Sequence, residues 1–270
     1  MIPYVLIRGG GDLASGVAIR LHHAGIWCLV VEIDQPLVVR RSVAFAEAVY
    51  AGKVQIEDVT GKLITDPGEA VSVWDAGEVP VIVDPDLLLM KDHPPLVLVD
   101  ARMRKKYTPV DLETFPLVVG LGPGFTAGEN CHAAVETNRG HFLGRVYWEG
   151  DTQKDTGVPG VVQSYGKERV LYAPVDGVVD TLVAIGDIVK RGDAILSVND
   201  EIIRAPFPGV VRGLIHRGID VQKGMKVGDV DPRLETFRCW LISEKSLAIG
   251  GGVLEAVLAV KEIRSKLWKG

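Results

Sequence analysis

The first thirty-odd residues constrain the fold most, because they alternate between two kinds of local pattern. Tyr4 to Ile7 form a short apolar run, Gly9 to Gly11 follow, and apolar residues then recur at helical spacing from Leu13 to Leu21. A second apolar run, Trp27 to Val31, ends in acidic residues. The pattern predicts a strand, a tight turn, a helix and a second parallel strand, which together make a right-handed crossover unit.

The glycine turn matches a nucleotide-binding pattern in its alanine variant, with Gly9, Gly11 and Ala14 at the required spacing. Gly9 permits a sharp turn, Gly11 lets a pyrophosphate approach the backbone, and Ala14 lets the helix pack closely on the strand. Gly10 lies between them, and the helix N-terminus offers amide N–H groups to phosphate. The alternative is a scaffold of the same type whose pocket has been lost or given another use.

Acidic residues near this turn have separate predicted roles. Glu32 or Asp34 follows the second strand at the distance where a carboxylate accepts hydrogen bonds from ribose hydroxyls. Asp12 lies inside the turn, where its charge would repel phosphate, and its expected role is to cap the helix.

Further candidate ligand-binding residues follow two later apolar runs. The run Leu96 to Val99 ends at Asp100, and another run ends at Gly120 and leads into a loop that contains Gly122 and Gly124. Ligands in open α/β sheets bind at the carboxyl ends of parallel strands. We therefore expect Asp100, Gly122 and Gly124 to lie on the same edge as the first glycine turn and to help hold an anion.

Cys131 and His132 are the candidate catalytic residues, and we predict that they lie on a helix that begins after Gly124. A thiolate near a helix N-terminus has a lowered pKa, and a neighbouring histidine could assist it. The alternative is that Cys131 is a small buried apolar residue.

The overall composition indicates an ordinary folded protein with no targeting signal. The net charge is −5 and 47% of the residues are hydrophobic, so nothing suggests binding to nucleic acid or to an anionic membrane. No apolar run is long enough to cross a membrane and no signal peptide is recognised, which predicts a cytoplasmic location. The three cysteines, Cys28, Cys131 and Cys239, are far apart, so we expect neither a disulfide framework nor a metal site.

Beyond residue 150 the sequence contains an ungapped internal repeat. One copy begins APVDGVV at Ala173 and the other begins APFPGVV at Ala205, 32 residues later. Two copies predict two β-units that share one core. The segment resembles the biotinyl/lipoyl domain, a flattened barrel-sandwich, but no lysine occurs between Arg191 and Lys223, where that family carries its modified lysine. We therefore expect neither lipoyl nor biotin.

The end of the chain predicts a strand at Arg238 to Ser243 and a last helix that returns to the first domain. Gly250 to Gly252 fall within or at the start of this helix, at a cost of roughly 1 kcal/mol each relative to alanine.

Together these patterns predict an α/β fold class. A Rossmann-like parallel sheet domain that binds nucleotide or phosphate occupies residues 1–150, and a small β barrel-sandwich (biotinyl/lipoyl-like) domain occupies 151–232. Residues 233–270 supply the strand and the C-terminal helix that packs on the first domain.

Several runs resemble the YqeB-like accessory proteins of the selenium-dependent molybdenum hydroxylase system. These runs are VLIRGGGDLASGVAIRLH, GLGPGFTAG, ETNRGHFLGR, VLYAPVDGVV, GMKVGDVDPR and AIGGGVLEA. The resemblance implies a cytoplasmic maturation factor for a molybdenum hydroxylase, related in its first part to xanthine dehydrogenase accessory proteins. It implies a chaperone-like role, with the molybdenum cofactor or a nucleotide as ligand and the hydroxylase as client. No catalytic residue is transferred from it.

Other functions remain open on the sequence. The chain could instead be an NAD(P)-dependent oxidoreductase, a sulfur or selenium transferase acting through Cys131, or a structural adaptor. Whether it is an enzyme is left open, as is association with a second copy of itself.

Overall fold

The crossover unit predicted at the N-terminus is present. Strand β1 (Val5–Arg8), helix α1 (Asp12–His23) and strand β2 (Cys28–Glu32) follow one another, and β1 pairs with β2 in parallel. The apolar residues of both strands are buried, and α1 buries the face that includes Val17 and Leu21. Burial of both strand faces explains why their sequences are continuous apolar runs.

The computed structural model describes residues 2–103, 112–154, 163 and 165–267. The chain divides into two compact units. Unit 1 contains Met1–Asp34, Ala44–Asp155 and Ile242–Gly270, and unit 2 contains Gln35–Val43 and Thr156–Leu241.

Unit 1 is built on a nine-stranded sheet with the order β10-β9-β7-β6-β1-β2-β5-β4-β3. Its other strands are β3 (Lys53–Ile56), β4 (Val59–Ile64), β5 (Val79–Val83), β6 (Val97–Asp100), β7 (Val118–Leu121), β9 (Ala133–Val135) and β10 (Val146–Tyr147). Two further strands, β8 (Thr126–Ala127) and β11 (Gly150–Asp151), pair with each other outside this sheet.

The predicted fold class, a Rossmann-like parallel sheet followed by a barrel-sandwich, is wrong. The seven strands from β9 to β4 in the sheet order are parallel, but β3 and β10 pair antiparallel at the two edges, so the sheet is mixed. In a fully parallel fold, crossover helices would connect these strands. Here a tight hairpin joins β3 to β4, and short strands instead of a helix follow Gly120.

The remaining helices are mostly short. They are α2 (Ala48–Ala51), α3 (Ala70–Asp75), α4 (Glu244–Ala259) and α5 (Lys261–Leu267), with 3₁₀ turns at Arg41–Val43, Phe45–Glu47, Pro67–Glu69, Leu112–Thr114, Lys167–Arg169 and Thr236–Cys239. The strand predicted at Arg238 to Ser243 is wrong, because its first residues belong to a 3₁₀ turn and its last is the N-cap of α4.

Helix α4 packs against α1 through glycines. A Cβ atom on Gly16 would lie 2.5 Å from the carbonyl oxygen of Ser246, and one on Gly250 would lie 2.5 Å from that of Gly16. A Cβ on Gly252 would collide with the Gly144 carbonyl, whereas one on Gly251 would meet nothing within 4 Å. Close approach of two backbones therefore accounts for Gly250 and Gly252, but not for Gly251.

Unit 2 contains two four-stranded antiparallel sheets, with the orders β12-β19-β17-β14 and β16-β15-β13-β18. The strands are β12 (Val170–Tyr172), β13 (Gly177–Thr181), β14 (Ile188–Val189), β15 (Ala194–Val198), β16 (Glu201–Arg204), β17 (Gly209–Leu214), β18 (Asp220–Val221) and β19 (Lys226–Asp231).

The internal repeat is visible as reciprocal pairing between its two copies. The Gly186 amide donates to the Val211 carbonyl at 2.8 Å, and the equivalent Gly218 amide donates to the Val179 carbonyl at 2.8 Å. Likewise β13 pairs with β18 while the equivalent strand β17 pairs with β14. Each copy therefore completes a sheet of the other.

Unit 2 also includes a segment from the N-terminal part of the chain, residues 35–43. The Arg40 side chain donates to the carbonyls of Arg238 and Leu241, both at 3.3 Å, and Ser42 Oγ donates to that of Cys239 at 2.6 Å. Unit 2 is therefore not one continuous sequence segment. The repeat alone gave no signal for the added segment.

Candidate functional site

The carboxyl ends of the central parallel strands bring most of the predicted site residues to one edge of the sheet in unit 1. In the strand register, Arg8 lies opposite Asp100, and Asp100 lies opposite Gly120. Neighbouring strands are about 4.8 Å apart, so β1 and β7 are separated by roughly 10 Å. The first glycine turn, Asp100 and the Gly120 loop therefore follow adjacent strands at this edge.

The first glycine turn uses two of its amides within the protein. Gly9 has a φ of +97° and donates its N–H to the Val31 carbonyl at 2.8 Å. The Gly10 N–H donates to Glu32 Oε2 at 2.7 Å. A Cβ on Gly10 would lie only 2.8 Å from the Ala46 nitrogen, so the chain's own backbone covers that side of the turn.

Gly11 is the part of the turn best suited to an anion. It is the N-cap of α1, and it makes no side-chain capping bond. The amides of the first helical turn have no intrahelical acceptor, and the positive end of the helix dipole lies there. A phosphate could accept hydrogen bonds from these amides.

The three acidic residues near this turn have different surroundings. Glu32 is at the end of β2, where it also accepts the Ile33 N–H at 2.8 Å, so its carboxylate is oriented by the backbone beside the turn. Asp34 is exposed on the following loop. Asp12 is the first residue of α1, so the expectation that it caps the helix is wrong, and its charge lies in the first turn.

Asp100 forms a two-pronged ion pair with Arg102, a residue that the sequence analysis did not select. Arg102 Nε lies 2.9 Å from Asp100 Oδ1, and Arg102 Nη2 lies 2.5 Å from Oδ2. Both side chains are largely buried, and the Arg102 backbone lies against Gly9. Asp100 therefore holds the Arg102 guanidinium in place, and the Arg102 backbone lies beside the glycine turn.

In the Gly120 loop, too, some backbone groups already form hydrogen bonds within the protein. Gly122 is buried with a φ of +73°, its N–H donates to the Val135 carbonyl at 2.9 Å, and its carbonyl accepts a bond from Thr152 Oγ1 at 2.7 Å. Gly124 has a φ of +96° and is exposed, and a Cβ added to it would meet nothing within 4 Å. Only Gly124 of these two is accessible to a ligand.

The predicted helix around Cys131 and His132 is wrong, because these residues lie between β8 and β9. Cys131 is fully buried, and that burial raises its thiol pKa to about 12, against a smaller lowering by a hydrogen bond with the Gly120 backbone. His132 Nδ1 accepts the Val118 N–H at 2.9 Å, which places the ring proton on Nε2.

We expect Cys131 to be unreactive in the folded protein, since a pKa near 12 leaves very little thiolate at pH 8. Alkylation by iodoacetamide at pH 8, followed by mass spectrometry of the Cys131 peptide, should be at least about 100-fold slower in the native protein than in urea. Rapid labelling of the native protein would contradict this assignment of Cys131 as a buried apolar residue.

Two positioning contacts in this region were not predicted. Ser15 Oγ donates to the Gly11 carbonyl at 3.0 Å and accepts the Phe45 N–H at 2.8 Å, which ties α1 to the segment that covers Gly10. The buried Glu136 carboxylate accepts the N–H groups of Asn138 at 2.6 Å and Gln153 at 2.7 Å. A lone serine or glutamate carries no signal in the sequence that distinguishes such roles.

Among the described residues, no group of three or more His, Cys, Asp or Glu side chains is placed to hold a metal ion. No helix within the same residues combines the length and the apolar character needed to cross a membrane.

The fold and the site describe an α/β protein with a mixed central sheet whose carboxyl edge carries glycine turns and charged side chains. No protein-family model matches the sequence. The chain is 46% identical, over 254 residues, to the uncharacterized protein YqeB of Escherichia coli K12. The match covers 94% of this chain and 47% of YqeB, so the chain spans about half the length of that relative.

Similarity to solved structures is weak. Three examples are the product-bound ectoine utilization protein EutE (DoeB) from Ruegeria pomeroyi, a succinylglutamate desuccinylase from Silicibacter sp. TM1040, and an aspartoacylase family protein from Mesorhizobium loti. Their sequence identities are 10%, 12% and 10%, each with a TM-score of 0.25. The alignments cover 85%, 84% and 85% of this chain, and the same shares of the three structures. TM-scores this low support no conclusion about this protein.

Proposed function

We propose that this protein is an accessory and maturation factor for a selenium-dependent molybdenum hydroxylase, and that it binds a phosphate-bearing ligand at the carboxyl edge of the sheet in unit 1. The observation that carries the binding proposal is the start of α1 at Gly11, directly after β1, with no side-chain cap. The Arg102 backbone lies against Gly9 of the same turn, and its guanidinium, paired with Asp100, would add positive charge near the ligand.

The proposed ligand is a nucleotide, such as NAD(P), or the molybdenum cofactor. Each carries phosphate that suits the first-turn amides of α1. Glu32 would accept hydrogen bonds from a sugar hydroxyl; its carboxylate faces the turn, where it accepts the Gly10 N–H. The client hydroxylase is proposed from the resemblance of the sequence runs to YqeB-like accessory proteins.

Cysteine-based sulfur or selenium transfer is the weaker proposal. The Cys131 thiol is fully buried and its pKa is raised to about 12, whereas a transferase needs an accessible thiolate. A redox role for bound NAD(P) rests on the same turn as the binding proposal and has no separate observation in its favour.

A Gly11→Asp substitution tests the binding site. Gly11 has a φ of −67°, which any residue adopts, and aspartate is a favoured N-cap. Its carboxylate would occupy the first-turn amides and repel phosphate. We expect calorimetric titration with GDP, NAD and inorganic pyrophosphate to show at least about tenfold weaker binding than in the parent protein, a loss of about 1.4 kcal/mol or more.

Gly25→Asp is the matched control, because it introduces the same residue at the other end of α1. Gly25 has a φ of +72°, which aspartate tolerates better than most residues, and nothing lies within 4 Å of a Cβ there. Its affinities should stay within about twofold of the parent values. If the parent protein binds none of the three probes at submillimolar concentration, or if Gly11→Asp binds them equally well, the proposed site is wrong.

A further inference from the structure

Strand β16 (Glu201–Arg204) lies at an open edge of a sheet in unit 2. The sheet order β16-β15-β13-β18 makes it outermost, and no strand in the described part of the chain pairs with its other side. It has four residues, whereas the other edge strands of this unit, β12, β14 and β18, have three, two and two. An edge strand presents unpaired backbone N–H and C=O groups, to which a strand of another chain can bind.

The backbone of Ile202 faces this open side. Successive residues of an antiparallel strand bond alternately to one flanking strand and to the other. Directly after β15, the Asn199 N–H donates to the Val178 carbonyl of β13 at 3.0 Å. Val198, one residue earlier, therefore faces β16, where it pairs with Glu201. Ile202 follows Glu201, so its N–H and C=O point away from β15.

The side chains of β16 leave this edge open to pairing. Natural edge strands are commonly protected by lysine, proline or a β-bulge. Glu201–Arg204 contains neither lysine nor proline, and the register shift in its pairing falls on β15, between Ala194 and Leu196. The residue whose backbone faces the open side, Ile202, is apolar and 48% exposed.

The charges on either side of Ile202 are self-complementary. Acidic residues, Asp200 and Glu201, lie at one end of the strand, and Arg204 lies at the other. All three are exposed, and Arg204 Nη1 donates to the Gly192 carbonyl at 3.0 Å, which holds the guanidinium beside the strand. When two copies pair antiparallel about Ile202, Asp200 of each copy lies opposite Arg204 of the other, and the two Ile202 side chains meet. A parallel pairing would instead bring like charges together.

We propose that two copies of this chain associate through β16, in an antiparallel pairing centred on Ile202 that joins two four-stranded sheets edge to edge. A two-fold axis at Ile202 makes both halves of the contact identical, as in most homodimers. The contact is small compared with the roughly 1,200 Å² of stable complexes, so the dimer should form and dissociate with protein concentration. The inference is independent of the proposed ligand site in unit 1.

Analytical ultracentrifugation of the full chain, between about 5 and 500 µM, tests the association. The mass of the parent protein should rise toward that of a dimer. Ile202→Lys places two ammonium groups at the two-fold axis and should weaken association at least about tenfold. Ile188→Lys is the matched control, because Ile188 is 64% exposed on β14 of the other sheet, and its association should stay within about twofold of the parent value.

A charge exchange tests the antiparallel register. Arg204→Asp alone puts carboxylates opposite each other and should weaken association about five- to tenfold. Adding Asp200→Arg exchanges the two charges and should restore association to within about threefold of the parent value. Damage to the hairpin would not be repaired by this second substitution.

Three outcomes would overturn the inference. A parent protein that stays monomeric up to about 500 µM does not use this edge to bind itself, and the edge is then open to a strand of another protein. A dimer that Ile202→Lys and Ile188→Lys weaken equally, or that neither weakens, forms through another surface. A double variant that associates no better than Arg204→Asp alone excludes the antiparallel pairing centred on Ile202.

Discussion

Replacing Gly250 with alanine is expected to lower the free energy of unfolding by about 2 to 3 kcal/mol, although alanine is the better helix former. A Cβ on Gly250 would lie 2.5 Å from the Gly16 carbonyl oxygen, and neither backbone can rotate away as a flexible side chain would. Helix α4 would therefore have to move away from α1. Chemical denaturation followed by circular dichroism measures the loss.

The neighbouring glycine provides the matched control for this prediction. Gly251→Ala makes the same chemical change one residue later in α4, where nothing lies within 4 Å of the new Cβ. We expect it to raise the free energy of unfolding by about 0.5 to 1 kcal/mol, the ordinary gain in helix propensity. Equal effects of the two substitutions would contradict the close packing of α4 on α1.

Replacing Phe45 with alanine should be the most destabilising single change considered, with an expected loss of about 3 to 5 kcal/mol. Phe45 is fully buried in unit 1, and its ring lies so close to Gly61 that a Cβ there would collide with it. The substitution leaves a cavity beside the segment that covers the Gly10 turn. Urea denaturation of the variant and the parent protein gives the difference directly.

Phe237→Ala is the comparison for this second prediction. Phe237 is 54% exposed and has the Arg238 guanidinium 5.3 Å from its ring centroid. Loss of this ring should cost less than about 1 kcal/mol, because more than half of it is exposed and a surface cation–π contact is weak. A loss as large as that of Phe45→Ala would contradict the assignment of Phe45 to the core.

Local sequence patterns predicted those parts of the fold that depend on neighbouring residues. The β1–α1–β2 unit was predictable because its apolar residues follow strand and helix periods and Gly9 to Gly11 mark the turn. The internal repeat likewise predicted two copies that share a core, since equivalent glycines and valines recur 32 residues apart.

The errors arose where distant contacts decide the local structure. The residues around Cys131 have no strong strand pattern. Ala133 to Val135 nevertheless form a strand because they pair in parallel with β7, and Cys131 just before them is buried. The antiparallel hairpin of β3 and β4 makes the sheet mixed at that edge. The sequence of the hairpin does not show that β4 pairs with β5.

The sequence predicted which strand ends carry the candidate residues, but not which groups those residues contact. Spacing placed Glu32 near the glycine turn, but it could not show that the carboxylate already accepts the Gly10 amide. Similarly, Asp100 was selected from the end of its strand, whereas its pairing with Arg102 depends on side-chain geometry. Hydrogen-bond partners of this kind depend on the folded backbone rather than on sequence distance.

The contribution of residues 35–43 to unit 2 limits where this protein can be divided experimentally. A fragment of residues 156–241 would contain both repeat copies, but the carbonyls of Leu241 and Cys239 would lose the donors that Arg40 and Ser42 supply. A truncation at a single position therefore cannot yield an intact unit 2. A circularly permuted or linker-joined chain that keeps both segments is the form in which this unit can be studied alone.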